Sequence, residues 1–370
     1  MSRVSSVNMP AEAHLDGSFK NENIELENSV APDTEKSSQD EDAISMEEDE
    51  YPRGFTFLLL TVGLMVVVLV LALDNYIIAT AVPRLTTEFN DLNLIGWYGS
   101  SYFLTLMSFQ PAFGQLCTIF PVKTVYLISI VVFEIGSAIS ASAPTSVAFI
   151  VGRLTSGAAG GGLWCGTLTL MGHAVPVSKR HLYVSVVTSM YGVASAAGPL
   201  LGGVFTDSPR LTWRFCFWLN LPIGFVAFVI IAVYLKPPRP THLALSLTLK
   251  QKLARIDIAG AFLLIAAFVC LLIALQWGGT IYAWSNSKVW GCLLGFGLLI
   301  FAFIILQIRL KDRATIPLRI VSKRTAAVGC IFTTFMTMAI GLYVYYLPFY
   351  FNRFSARPPN SPESARSLIL

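Results

Sequence analysis

Residues 190–205 read Met-Tyr-Gly-Val-Ala-Ser-Ala-Ala-Gly-Pro-Leu-Leu-Gly-Gly-Val-Phe. The stretch is apolar enough to lie in a bilayer, yet Gly192, Ala194, Ala196, Gly198, Gly202 and Gly203 forgo bulky side chains. Small residues at this density are useful where a second helix presses close. Pro199 removes a backbone donor and is expected to bend the helix, which a bilayer tolerates where neighbouring protein covers the freed carbonyl. The stretch therefore points to an all-α bundle of tightly packed transmembrane helices.

Composition agrees with that reading. With 370 residues, 54% of them hydrophobic, 13% charged, and a mean hydropathy of +0.63, the chain is too apolar and too poor in charge for a soluble domain. The net charge of +4 conceals two opposed parts. Residues 1–50 carry 14 acidic against 3 basic side chains, and residues 51–370 carry 8 against 23. The acidic part is polar and has few aromatic residues, so it is expected to stay disordered in the cytosol. Its start lacks the basic end and apolar core of a signal peptide.

The six cysteines are scattered through apolar segments without metal-site spacing, and the four histidines form no ligand cluster. No P-loop, dinucleotide fingerprint, G-x-S-x-G elbow or H-E-x-x-H is present. The sequence thus reads as a protein that is not an enzyme and uses no metal, no cofactor and no nucleic acid. Energy for any work is expected to come from a gradient.

About 20 apolar residues cross a bilayer core, and nine such spans are expected, near 55–80, 94–116, 125–143, 147–171, 182–205, 215–235, 258–277, 289–308 and 326–351. Placing the N-terminus in the cytosol puts 15 loop Lys/Arg inside and 4 outside, namely Arg84, Arg210, Arg214 and Lys288. That is a strong positive-inside bias. The loop 237–257 alternates apolar and basic residues and is expected to lie on the lipid of the inner leaflet.

Three ionisable residues fall inside the expected spans: Asp74, Glu134 and Arg153. Charge at that depth costs a few kcal/mol, so such residues usually face a partner or a wet cavity. At about 1.5 Å per residue, Asp74 lies about 29 Å along an outward-running helix 1 and Arg153 about 9 Å past the outer start of helix 4. The two fall in the same outer layer, where an Asp–Arg pair would neutralise both charges and protonation of the Asp would release the Arg. A fixed structural ion pair is the competing reading. Glu134, near mid-membrane, is expected to be protonated or hydrogen-bonded to a neighbour, with a structural role favoured over a place in the cavity.

At these residues a family resemblance becomes specific. Leu73-Asp-Asn-Tyr-Ile-Ile-Ala-Thr-Ala-Val-Pro83 resembles the first-helix motif of the 14-helix drug/proton antiporters of the major facilitator superfamily. Ile150-Val-Gly-Arg-Leu-Thr-Ser-Gly-Ala-Ala-Gly160 is similar to their fourth-helix motif, whose arginine, here Arg153, is implicated in proton transfer. The opening stretch resembles their fifth-helix antiporter motif, carried by Ala194, Gly198, Pro199, Gly202 and Gly203, with Ala194 where a glycine often stands. Trp213-Arg-Phe-Cys-Phe-Trp-Leu-Asn-Leu-Pro-Ile-Gly224 and Leu275-Gln-Trp-Gly-Gly279 are typical of the fungal toxin-efflux members.

The resemblance implies an N-terminal six-helix bundle at 51–236, an extra helix pair at 258–310, and a cytosolic loop with a ninth helix at 311–351 that opens a second bundle. That second bundle is read as missing, and 352–370 as a tail outside the family. The fifth helix would face the absent bundle, so its small-residue face is expected to lack its partner and the chain alone is not expected to sustain export. Thr118, Pro121 and Val122 replace the Asp, Gly and Arg of the family's loop between helices 2 and 3, which puts its charge latch in doubt.

The function implied is proton-coupled efflux of small organic toxins or drugs from a plasma-membrane protein, with the vacuolar membrane as alternative. Small organic substrate, protons and lipid are its expected partners, and self-association a way to supply a substitute half. A non-transporting membrane fragment or scaffold is the other reading.

Overall fold

A computed structural model describes residues 54–91, 94–208, 211–235, 251, 257–279, 281–310, 314 and 322–355. The acidic stretch 1–50, most of the loop 237–257 and residues 356–370 lie outside the described residues. Apart from one isolated bridge between Gly278 and Tyr282, the regular structure described is helical. The helices are α1 (Phe55–Phe89), α2 (Ile95–Ile119), α3 (Val122–Ser142), α4 (Ser146–Ala174), α5 (Val177–Thr188), α6 (Met190–Asp207), α7 (Phe215–Trp218), α8 (Asn220–Tyr234), α9 (Ile258–Trp277), α10 (Ser287–Leu310) and α11 (Arg324–Ser355). Each expected span falls on this series, the fifth divided between α5 and α6 and the sixth between α7 and α8. Helix α11 continues four residues past the expected end at Phe351.

Seven spans are long and apolar enough to cross a membrane on length and composition, with α5–α6 and α7–α8 each counting once. The chain is accordingly a multi-pass membrane protein. Helices α2 and α4 fall outside that count because they carry much Gly, Ser, Thr and Tyr. Such residues suit an interior position: α4 packs on α2 and on α3 more extensively than any other helix pair in the described chain.

Helix α4 is the hub because it lacks side chains where its neighbours approach. A Cβ on Gly157 would strike the backbone of Tyr102, and one on Gly161 would come within 2.9 Å of the Leu106 carbonyl, both on α2. On the other flank a Cβ at Gly136 of α3 would lie 2.5 Å from the Ser156 amide. Where backbones come this close, dispersion between helices replaces contact with lipid tails, which supply no hydrophobic drive of their own. Thr105 of α2 donates to the Leu154 carbonyl at 2.8 Å, and Tyr126 of α3 shares a hydrogen bond with Thr167 at 2.9 Å, pinning both seams.

The fifth span runs through Pro199 without interruption. At Ser189, between α5 and α6, the backbone keeps right-handed helical dihedrals, Ser189 N–H donates to the Ser185 carbonyl at 2.9 Å and Val193 N–H to that of Ser189 at 3.3 Å, so Val177–Thr206 is one span. Leu219, between α7 and α8, is likewise right-handed and donates to the Phe215 carbonyl at 3.0 Å, within the span Phe215–Tyr234.

The small-residue stretch also has a partner that was not expected. Ala194, Gly198 and Gly202, spaced by four, are buried against α1. A Cβ on Gly198 would lie 2.7 Å from Cβ of Tyr76, and one on Gly202 would collide with the Thr80 hydroxyl. Gly192 and Gly203 meet nothing within 4 Å, and Ala196, Pro199, Leu200 and Val204 are exposed beside them. The motif is thus two faces of one helix: a closed one on α1 and an open one.

The additional pair α9–α10 packs on the bundle through α9 and α2. Polar clamps fix it at both ends: Gln276 donates to Ser100 at 2.8 Å, and the Asp257 amide donates to Gln115 at 3.1 Å. Asp257 also caps α9 through Gly260 and accepts from Gln307 of α10 at 2.7 Å.

Candidate functional site

Asp74 sits in the middle of α1 among Leu71, Ala72, Leu73, Ile77 and Ile78, all buried. Arg153 projects from the second turn of α4, the helix whose glycines allow neighbouring helices to close around it. The structure brings the two together: Arg153 Nη1 lies 2.5 Å from Asp74 Oδ2, and each side chain is 1% exposed. The two residues read from sequence as a pair in one layer of the membrane are therefore in direct contact.

The pair is enclosed by groups that suit its charges. The guanidinium carbon lies 4.6 Å from the centroid of the Tyr102 ring and 5.7 Å from that of Phe217, so the cation rests between two aromatic faces. Gly160 leaves room for Tyr102, since a Cβ there would lie 2.7 Å from the phenol oxygen. The second carboxylate oxygen, Asp74 Oδ1, accepts from Asn220 Nδ2 at 3.1 Å. Asn220 Nδ2 also reaches Ser137 Oγ of α3 at 3.3 Å. Asn220 is the first residue of α8, and the span Phe215–Tyr234 carries its amide to the carboxylate.

Sequence reasoning did not single out Asn220, Ser137 or Tyr102. The signal for Asn220 was available, since an amide inside an apolar span is as much in need of a partner as a charge. Tyr102 of α2, Phe217 of α7 and Asn220 of α8 cover the Asp74–Arg153 pair.

Glu134 of α3 does not join the pair. Its carboxyl lies against Gly224 of α8, where an added Cβ would collide with Oε1 and lie 2.6 Å from Cδ. Among the described residues both oxygens are buried without a hydrogen-bond partner. Of the two expectations for Glu134, protonation or a hydrogen-bonded neighbour, the described residues offer no neighbour, since Gly224 presents no donor side chain and helical amides are already engaged.

The antiporter-motif residues Ala194, Gly198 and Gly202 touch the site indirectly, through α1. Ala194 is buried with Ala72 and Leu73, the residues that precede Asp74. The stretch therefore holds the backbone that carries the carboxylate.

Two further clusters close the bundle's ends. At one end Glu88 accepts from Trp213 Nε1 at 2.5 Å and from Arg214 at 2.8 Å, while Arg214 caps α3 through the carbonyls of Ala141 and Ala143. At the other Lys123 donates to the Ala232 and Leu235 carbonyls at 2.7 and 2.6 Å, and Arg180 to Gly172 at 2.6 Å. Where the resemblance led to doubt about a charge latch, cations cap helix C-termini, which their dipoles favour. An open depression of about 440 Å³ lies near Arg84, Glu88, Thr206 and Trp213, at the same end as the Glu88 cluster and not lined by the ion pair.

Comparison with known proteins agrees with this architecture. The family profile described as Major Facilitator Superfamily matches residues 64–356. MFS-type transporter ltbE of Aspergillus luteorubrus is 44% identical over 329 residues, which is 89% of this chain and 60% of that protein. MFS-type efflux pump MFS1 of Trichophyton rubrum is 46% identical over 298 residues, 80% of this chain and 55% of the pump. Efflux pump aflT of Aspergillus parasiticus is 40% identical over 313 residues, 85% of this chain and 60% of the pump. The chain spans little more than half the length of these curated relatives. The profile match runs from α1 into α11 and takes in the Asp74–Arg153 pair, and the chain belongs to the Major Facilitator Superfamily.

Proposed function

We propose that the chain provides the proton-coupling half of a plasma-membrane exporter for small organic toxins or drugs. The observation that carries this reading is the buried Asp74–Arg153 pair. A buried ion pair adds little stability over well-packed apolar residues, because desolvation offsets its Coulombic gain. Its value is as a switch: a proton on Asp74 removes the counter-charge of Arg153, and a guanidinium left alone in the membrane interior drives rearrangement toward water or a new anion.

The surroundings support that reading. Asp74 is carried on α1, which α6 holds with Ala194, Gly198 and Gly202, and α6 shows its other small-residue face, Gly192 to Gly203, to the outside of the bundle. Rocking of one bundle against another is the general route to alternating access, with the site between them. A change of charge on α1 reaches the open face of α6 through one layer of backbone contact. The efflux named for two of the relatives above favours export over import.

The test is expression in a yeast strain stripped of its own exporters, with rhodamine 6G and ethidium as fluorescent probes and accumulation read with and without a protonophore. The chain is expressed alone and together with the C-terminal half of the Trichophyton rubrum pump. Protonophore-sensitive loss of either dye in the cells that make both halves supports the reading, protonophore-insensitive accumulation in those cells refutes it, and protonophore-sensitive loss with the chain alone would show that it is not one half of the machine.

A further inference from the structure

Two carboxyls and one cation occupy neighbouring levels of the bundle. Ser137 lies one turn along α3 from Glu134, and Asn220 lies one turn along α8 from Gly224, on which the Glu134 carboxyl rests. Since Asn220 bonds both Ser137 and Asp74, Glu134 sits about one helical turn, about 5 Å, from the layer of the ion pair. Asp74 is within electrostatic reach of Glu134.

Among the described residues the other titratable groups around Asp74 are Tyr102 from α2, Tyr191 from α6 and Cys216 from α7. Phenols and thiols are neutral near pH 7. The charge of Arg153 is therefore set against two carboxyls, and it can balance one of them. Asp74 holds Arg153 and Asn220 as donors, whereas both oxygens of Glu134 are buried with none. An ionised carboxylate without donors in such a place is far costlier than a neutral acid.

We propose that Glu134 is a second proton-binding carboxyl, which shares one proton with Asp74 against the charge of Arg153. In one of its two states Glu134 carries the proton and Asp74 the charge, held by Arg153 and Asn220. Protonating Asp74 forms an O–H bond there and frees Arg153. Breaking the Glu134 O–H bond releases a proton and returns one negative charge to the cluster, which is neutral with the proton on either group. Its use in export rests on the proton-coupled reading above, but the sharing itself is a property of the bundle and is measurable without any substrate.

The experiment is a pH titration by infrared difference spectroscopy of the full chain in lipid vesicles, following the C=O stretch of protonated carboxyls. Subtracting Glu134→Gln from the unsubstituted chain isolates the Glu134 band; Glu134→Asp should move that band instead of deleting it. The decisive comparison is Asp74→Asn. With Asp74 neutral, Arg153 calls for the charge of Glu134, and the pH at which the Glu134 band disappears should fall by about one unit or more, a tenfold gain in acidity. No Glu134 band near neutral pH, a band that persists at every pH, or one that Asp74→Asn leaves in place overturns the proposal. Loss of dye export in cells with this coupling intact would instead count against the transport reading alone.

Discussion

Asn220 donates to the Asp74 oxygen that Arg153 does not hold: Nδ2 lies 3.1 Å from Oδ1, while Arg153 Nη1 lies 2.5 Å from Oδ2. One carboxylate thus joins α1, α4 and α8, and Asn220 extends the link to Ser137 on α3. Removing the amide should loosen the carboxylate without removing charge. Asn220→Ala is expected to cost about 1–3 kcal/mol of stability, read as an earlier thermal midpoint of the detergent-solubilised chain. Asn220→Asp, which places a second anion against Asp74, should be worse than Ala.

The ion pair itself is expected to behave non-additively. Arg153→Leu or Asp74→Leu alone strands a buried charge and should cost about 3–5 kcal/mol. The double variant strands neither and should recover a large part of that loss. A double-mutant cycle on thermal midpoints measures the coupling, and additive losses would show that the two side chains do not interact in the folded protein.

The two faces of α6 should respond in opposite ways to added volume. Gly198→Val and Gly202→Val push branched side chains into Tyr76, Ile77 and Thr80 and are expected to cost about 1–3 kcal/mol as overpacking. Gly203→Ala meets open space and should leave stability within about 0.5 kcal/mol. The comparison is read from monodisperse yield and thermal midpoint, and a Gly203→Ala loss as large as that of Gly202→Val would contradict the division of the motif.

Orientation is expected to follow loop charge. Ser285→Cys, exposed in the turn before α10, should react in intact cells with a membrane-impermeant maleimide, and Ser178→Cys, exposed at the start of α5, should react only after permeabilisation. The reverse pattern would invert the topology.

Most helices and their order were legible because their spans are strongly apolar, and α2 and α4, which are less so, because their motifs and place in the series marked them; the Asp74–Arg153 contact was legible because two buried charges at matching depth need one another. Two things were not. The partner of Gly198 and Gly202 is set by which neighbour comes close, and small residues record closeness without naming the neighbour. Asn220 carries no charge, so nothing in the composition marked its place beside Asp74, which follows from how α8 packs against α1.

The central claim is that a proton on Asp74 works through Arg153 to drive export. Its most direct test is dye efflux in exporter-deficient yeast that produce the chain together with the C-terminal half of the Trichophyton rubrum pump, compared with Asp74→Asn at equal abundance. The expected result is protonophore-sensitive efflux of rhodamine 6G or ethidium with the unsubstituted chain and a loss of about tenfold or more with Asp74→Asn, equivalent to about 1.4 kcal/mol or more in the coupled step. Protonophore-sensitive efflux that Asp74→Asn leaves unchanged would contradict it.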